Sequence, residues 1–151
     1  MTIRLPLLAC ILLSAINPAA AQKTAVVPPP SLLTYADVAD LSLPAPIVAQ
    51  VRIRKAEQLK GELAGNVSST QRRYLIAADT VAVIRGLGGL PPRIAYVVDV
   101  SPDARGKWPK LVKSEVIVFA RPVSGRPAEI RLAAPDAQQP AHPSLAALVR
   151  N

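Results

Sequence analysis

The feature that most constrains the fold is a two-residue alternation of apolar side chains that starts at Ile47. The apolar positions of this first segment are Ile47, Ala49, Val51 and Ile53. Successive side chains of a β-strand point to opposite faces, so the alternation predicts a strand over residues 47–57 with one buried and one solvated face.

Four further segments of strand type follow, at residues 72–85, 93–100, 115–121 and 128–133. Clusters of glycine and proline form turns between some of them, and a hydrophilic connection spans residues 101–114. This order of lengths resembles the OB-fold, a five-stranded Greek-key barrel. We therefore predict an all-β fold, a small five-stranded OB-like Greek-key barrel, with a β-sandwich as the alternative.

Two short helical segments are expected to flank these strands. Thr34 and Asp37 have the spacing of a capping box, which predicts a helix that runs to about Asp40. Residues 144–150 (SLAALVR) have the pattern of an amphipathic helix start. The predicted organisation is a single β-barrel-like domain over residues 34–143, followed by a C-terminal helix start over 144–151.

The first 21 residues have the organisation of a secretory signal peptide. Arg4 precedes an apolar run over residues 5–16, and Ala19 and Ala21 form an A-x-A cleavage site before Gln22. The run is shorter than the roughly 20 apolar residues that cross a bilayer, which disfavours a retained anchor. We predict cleavage between Ala21 and Gln22, and hence a periplasmic or secreted protein.

Cleavage at this site would change the composition of the exported body. The full chain has 18 basic and 10 acidic residues, and removal of Arg4 and Cys10 leaves 17 basic and 10 acidic residues, a net charge of +7. Without cysteine the body has no disulfide and no thiolate metal site. We expect no cofactor, no metal and no later membrane span.

The alternative interpretation of the N-terminal segment is that Leu7–Cys10 (LLAC) is a lipobox, which would place a lipid on Cys10.

Residues 22–33 are predicted to form a tether between the signal peptide and the domain. Three consecutive prolines, Pro28 to Pro30, favour extended polyproline II geometry and supply no backbone donors.

Two resemblances to known families accompany these patterns. The VIRG element at residues 83–86, followed by a strand, a charged connection and the VIVFA strand, resembles exported OB-type modules related to the netrin and metalloproteinase-inhibitor folds. A larger part of the chain is similar to a family of uncharacterised exported bacterial proteins. That similarity lies in YVVDV (96–100), DARGKWPK (103–110), FARPV (119–123), GRP (125–127) and APDAQ (134–138). This similarity implies no activity. It implies that the chain is a truncated or minimal member of the family, because the relatives extend beyond the point where this chain stops.

The strongest local signal for binding is a cluster of four cations around the single tryptophan. Its members are Arg105, Lys107, Trp108, Lys110 and Lys113. Cations supply an anion field and an indole supplies a flat face, a combination found in binders of anionic polymers and surfaces. The alternative is a basic loop whose tryptophan folds back over the barrel end. Further cations that could extend the positive face are Arg52, Arg54, Lys55, Arg72 and Arg73.

Residues suited to catalysis are few. The single histidine, His142, lies between prolines and is interpreted as a solvated linker residue. Asp99 and Asp103 bracket a turn and could divide acid and base roles, as could Asp37 and Asp40, but such residues more often cap turns and helices. We expect no enzyme.

The preferred hypothesis is an exported, non-enzymatic module that binds an anionic envelope polymer or a protein partner in the cell envelope. Cytoplasmic nucleic acid is not expected as a partner, and the oligomeric state stays open. The alternatives are an envelope hydrolase that uses Asp99 or Asp103, and a structural or assembly subunit that pairs through its edge strands.

Overall fold

A computed structural model describes residues 33–86 and 89–150, which form two helices and six strands. The predicted signal peptide, its cleavage site at Ala21 and Gln22, and all of the predicted tether except Leu33 lie outside the described residues. In chain order the elements are α1 (Tyr35–Ser42), β1 (Ile47–Gln58), a 3-10 turn (Gly61–Ala64), β2 (Arg72–Arg85), β3 (Arg93–Val100), β4 (Glu115–Val123), β5 (Arg126–Leu132), β6 (Gln138–Pro140) and α2 (Pro143–Arg150).

Strands β1 to β5 close into a small barrel. β1 pairs antiparallel with β2 over its length and with β4 over its first half, from Ile47–Ala120 to Arg52–Glu115. β2 pairs antiparallel with β3, and β5 pairs antiparallel with β4. A parallel contact at Ala95–Glu129 joins β3 to β5 and completes the circuit. The prediction of an all-β small barrel with two short helices is confirmed. Because the strands form a closed circuit, the fold is a barrel and not the alternative β-sandwich.

The two-residue alternation separates a buried barrel interior from an outer surface, as the sequence predicts. β2 and β3 have the predicted bounds, whereas β1 and β4 extend slightly further and β5 is shifted towards the N-terminus. The interior is formed by aliphatic residues of all five strands together with Tyr96. Its members include Ala49, Val51, Ile53, Ile76, Ile94, Val98, Val116, Val118 and Ile130.

The continuous apolar run of β4 has a simple structural cause. Val116, Val118 and Ala120 face the barrel interior, whereas Ile117 and Phe119 belong to a second buried cluster with the two helices. A strand that is buried on both faces needs apolar residues at successive positions. β4 is therefore the strand that joins the barrel core to the helical layer.

Both helices pack onto this second cluster. The capping box at the start of α1 is present, because the Thr34 hydroxyl accepts the Asp37 backbone N–H and the Asp37 carboxylate accepts the Thr34 backbone N–H. Leu145 and Val149 of α2 are buried in the same cluster. Among the described residues, no helix is both long and apolar enough to cross a bilayer.

Candidate functional site

The connection between β3 and β4 carries the predicted cation cluster and has an ordered turn at its centre. The Asp103 Oδ1 atom accepts the backbone N–H groups of Arg105 and Lys107 at 2.9 and 2.8 Å. The Asp103 N–H donates to the Lys107 carbonyl at 2.9 Å, and Gly106 has the positive φ that the turn requires. The side chains of Arg105 and Lys107 are exposed at this turn.

Trp108 fastens the connection to β2. The Arg72 guanidinium lies over the Trp108 ring, with its central carbon 3.9 Å from the ring centre. Trp108 is half-buried, so the indole acts partly as a support for the connection. One face of the ring is therefore taken by Arg72, and the predicted stacking surface is partly occupied.

The second half of the connection is held by β1. Ile53 of β1 accepts the Lys113 N–H at 2.8 Å through its carbonyl and donates its own N–H to the Ser114 carbonyl at 2.9 Å. Lys113 has φ 70°, a left-handed conformation that is rare for residues other than glycine, in the turn closed by the Ser114 N–H and the Leu111 carbonyl. These bonds fix the backbone at Lys113 and Ser114.

The cations of the connection are not neutralised by neighbouring acids. Within the described residues, none of the four forms an ion pair with a carboxylate. Asp103, the single acid of the connection, is engaged by backbone N–H groups. With Arg72 added, five cations without an acid partner among the described residues lie here, and three carboxylates, Asp99, Glu115 and Asp136, line a cleft that Lys110 also lines.

Other cations that could have extended the positive face are paired with acids. Arg52 binds Glu115 at 2.5 Å, Arg54 binds Asp79 at 3.0 Å, Lys55 binds Glu57 at 2.8 Å, and Arg73 binds Asp99 at 2.7 Å. Of the predicted extension, only Arg72 lies against the cluster with no acid partner among the described residues.

The two carboxylates of the hydrolase hypothesis have structural partners. Asp99 accepts two hydrogen bonds of 2.7 Å from the Arg73 guanidinium, and Asp103 caps its turn. The described residues contain no group of three or more histidine, cysteine or acidic residues that could hold a metal ion.

No protein-family model, curated protein or solved structure matches this chain. The site is therefore interpreted from its own geometry.

His142 has a local role at the start of α2. Its Nδ1 atom accepts the Ser144 backbone N–H at 3.3 Å and lies 2.5 Å from the Ser144 hydroxyl. An acceptor at this position satisfies an N–H group that the helix itself leaves unpaired. The ring is exposed, as expected of a solvated residue, and the capping contact was not predicted.

A cleft of about 480 Å³ lies beside the cation cluster, at the barrel end where β3 finishes and β4 begins. Its lining includes Lys110, Gln138 of β6 and three carboxylates, those of Asp99, Glu115 and Asp136. The buried Tyr96 hydroxyl donates to Gln138 Oε1 at 2.8 Å, and burial raises the pKa of this phenol. Gln138 and the role of Tyr96 have no signal in the sequence, because their contact depends on where β6 pairs with β4.

A second hollow, of about 540 Å³, lies at the opposite end of the barrel. It is lined by aliphatic residues, four prolines and a glycine, and contains no charged residue. The cation cluster and the cleft beside it therefore lie at the other end of the barrel from this hollow.

Proposed function

We propose that the protein is an exported, non-enzymatic module that binds an anionic polymer of the cell envelope through the connection between β3 and β4. The observation that supports this proposal is that Arg72 and the four cations of the connection form no ion pair among the described residues. Of the acids nearby, Asp103 is engaged by backbone N–H groups, and Asp99 and Glu115 are paired with Arg73 and Arg52.

Electrostatics favours a polymer over a small anion at this site. Each exposed cation contributes only about 0.2–1 kcal/mol to a contact with an opposite charge, so one contact gives little affinity. A repeating anionic ligand can engage several of these cations together. Binding of this kind increases with the number of cations and weakens as salt screens them.

A preformed backbone supports the same interpretation. The turn at Asp103, the Arg72–Trp108 contact and the hydrogen bonds between Lys113 and Ile53 hold the cations on an ordered chain. Less conformational entropy is then lost when a ligand binds. An ordered cationic surface supports the binding proposal, whereas Asp99 and Asp103 have structural partners and give the hydrolase alternative no support.

Retention on immobilised heparin, eluted with a sodium chloride gradient, tests the proposal. The triple variant Arg105→Gln, Lys107→Gln, Lys110→Gln is expected to elute at lower salt and to bind about tenfold more weakly, since three contacts of about 0.5 kcal/mol are lost. The matched control is Arg121→Gln, Arg126→Gln, Arg150→Gln, which removes the same number of exposed cations from the opposite end of the barrel and from α2.

The comparison separates a local site from a general effect of net charge. The control variant is expected to elute close to the wild-type protein. Equal losses of retention in both triple variants would show that total charge alone binds heparin, and the proposed site would then be rejected.

A further inference from the structure

The cleft beside the cation cluster has a polar lining that differs in kind from the cluster itself. This lining comprises three amides, two hydroxyls, three carboxylates and the ammonium group of Lys110. The volume of about 480 Å³ lies within the range of roughly 300–1,000 Å³ that is usual for sites of small ligands. A ligand unit in this cleft would therefore be recognised mainly by hydrogen bonds.

The charges in and around the cleft are nearly balanced. Two of its three carboxylates are neutralised by guanidinium groups, Asp99 by Arg73 and Glu115 by Arg52. The third, that of Asp136, forms no ion pair among the described residues, and the cleft also contains one ammonium group. An anionic group therefore finds little net attraction inside the cleft, in contrast to the cation cluster beside it.

Several hydrogen-bond acceptors of the cleft are left free by the contacts within the chain. Gln71 Nε2 donates to the Ser101 hydroxyl at 3.2 Å, and Gln139 Nε2 donates to the Asp136 carbonyl at 2.7 Å. The Oε1 atoms of both glutamines and the Asp136 carboxylate receive no hydrogen bond from the part of the chain that the structure describes. These acceptors fit a ligand that supplies O–H or N–H donors.

Free donors line the same cleft. The Tyr96 hydroxyl donates to Gln138 Oε1 at 2.8 Å, which leaves the Gln138 Nε2 atom as a donor. Among the described residues Nε2 has no partner, and it is not buried, so a ligand can reach it. Free donors and free acceptors together match a hydroxyl group, which both donates and accepts, whereas the oxygens of an ionised phosphate or sulfate diester only accept.

We propose that the anionic polymer is an acidic polysaccharide, an inference that rests on the proposed function. The sugar hydroxyls of one unit bind in the cleft, and the acidic groups of the polymer bind the cation cluster. Lys110 belongs to the cluster and also lines the cleft, so a sugar unit can bind in the cleft while its acidic group lies at this ammonium. A polymer without hydroxyls would leave the free acceptors of the cleft unpaired, which costs binding free energy.

Asp136→Ala tests the inference through the sign of its effect. Loss of a carboxylate makes the surface more positive, so an anionic polymer held by charge alone would bind equally well or more tightly. If the carboxylate accepts a sugar hydroxyl, the same substitution weakens binding, and we expect a loss of about tenfold. The Asp136 side chain is exposed, and the carbonyl that accepts the Gln139 amide belongs to the backbone, so the variant is expected to fold normally by circular dichroism.

Titration calorimetry with two polymers at a fixed salt concentration supplies the measurement. Polygalacturonate and polyacrylate both carry carboxylates, but only polygalacturonate has hydroxyl groups. Asp136→Ala is expected to bind polygalacturonate about tenfold more weakly than the wild-type protein and to bind polyacrylate equally well or more tightly. Asp40→Ala on α1 is the matched control, because it removes an exposed acid that forms no ion pair among the described residues, and it is expected to leave both affinities close to those of the wild-type protein.

The triple variant Arg105→Gln, Lys107→Gln, Lys110→Gln separates this inference from the proposed function. It is expected to bind both polymers more weakly, because it removes cations that both polymers engage. If it does so while Asp136→Ala binds polygalacturonate as tightly as the wild-type protein does, the cation cluster stands and the sugar site is overturned. Equal weakening of both polymers by Asp136→Ala would also overturn the sugar site. Triple-variant affinities equal to those of the wild-type protein, or a wild-type protein that binds neither polymer, would reject the proposed function and this inference together.

Discussion

The Arg72 guanidinium lies 3.9 Å from the centre of the Trp108 ring and connects β2 to the middle of the long connection that precedes β4. A cation over an indole face is attracted by the ring quadrupole and contributes about 0.5–1 kcal/mol at a partly exposed site. This contact places the tryptophan among the structural supports of the cation cluster.

Trp108→Ala is therefore expected to weaken retention on heparin although it removes no charge. Without the indole, Arg72 and the connection lose their common support, and more entropy is lost on binding. Tyr35→Ala, at an aromatic residue that is 71% exposed on α1, is the matched control and is expected to leave retention unchanged. Unaltered elution of the Trp108 variant would show that the contact does not contribute to the site.

Lys113→Gly is expected to stabilise the fold by about 0.5–1 kcal/mol. The left-handed backbone at Lys113 costs roughly 1–2 kcal/mol for a residue with a β-carbon, and the greater entropy of glycine in the unfolded chain offsets part of the gain. Lys113→Ala removes the same cation but keeps the unfavourable φ. Urea unfolding of both variants checks this expectation, which requires the glycine variant to be the more stable of the two.

The stability of the barrel is expected to fall in acid partly through Glu115. Hydrogen bonds from Arg52 and Gln50 hold the pKa of the Glu115 carboxyl below its usual 4.5. Because the pKa is lower in the folded state, the stabilisation is present above about pH 5 and is lost as pH falls through the folded pKa.

Glu115→Gln should accordingly be less stable than the wild-type protein at neutral pH, and the difference should shrink in acid. Urea unfolding at a series of pH values provides the measurement. Glu62→Gln changes an exposed carboxylate that forms no ion pair among the described residues, and serves as the control. A Glu115 variant whose deficit stayed constant down to low pH would contradict the assignment.

Tyr96→Phe is expected to cost about 1 kcal/mol at neutral pH, because Gln138 Oε1 loses its hydrogen-bond donor. Burial raises the pKa of the Tyr96 phenol above its usual 10.0, so ionisation above pH 10 favours the unfolded chain. The wild-type protein should therefore lose stability as pH rises past 10, and the phenylalanine variant should lose less. Alkaline urea unfolding tests this, with Tyr74→Phe at a half-buried position as the control.

The sequence predicted the barrel well where alternation is strong. β2 and β3 have long alternating patterns, and their bounds were predicted without error. β6 was missed, because a three-residue strand that ends in proline has no periodic signal and forms only by pairing with β4. The 3-10 turn at Gly61–Ala64 was missed as well, since its exposed residues have no apolar pattern.

The candidate site could be predicted only as a group of residue types. The cations and Trp108 are adjacent in sequence, so their clustering was visible. The contact with Arg72 was not, because it depends on how β2 and the connection meet in space. Lys113 carries no sequence signal for a positive φ, since lysine is not a residue that favours it.

The double pairing of β1 also governs how the chain can fold. Its first half is a neighbour of β4, and Ile47 meets Ala120 across a long stretch of intervening sequence. Contacts between such distant segments form slowly, because loop closure must precede them. A nascent chain would have no complete barrel until β5 had been synthesised. A polypeptide of this topology is therefore expected to have no closed barrel for most of its synthesis.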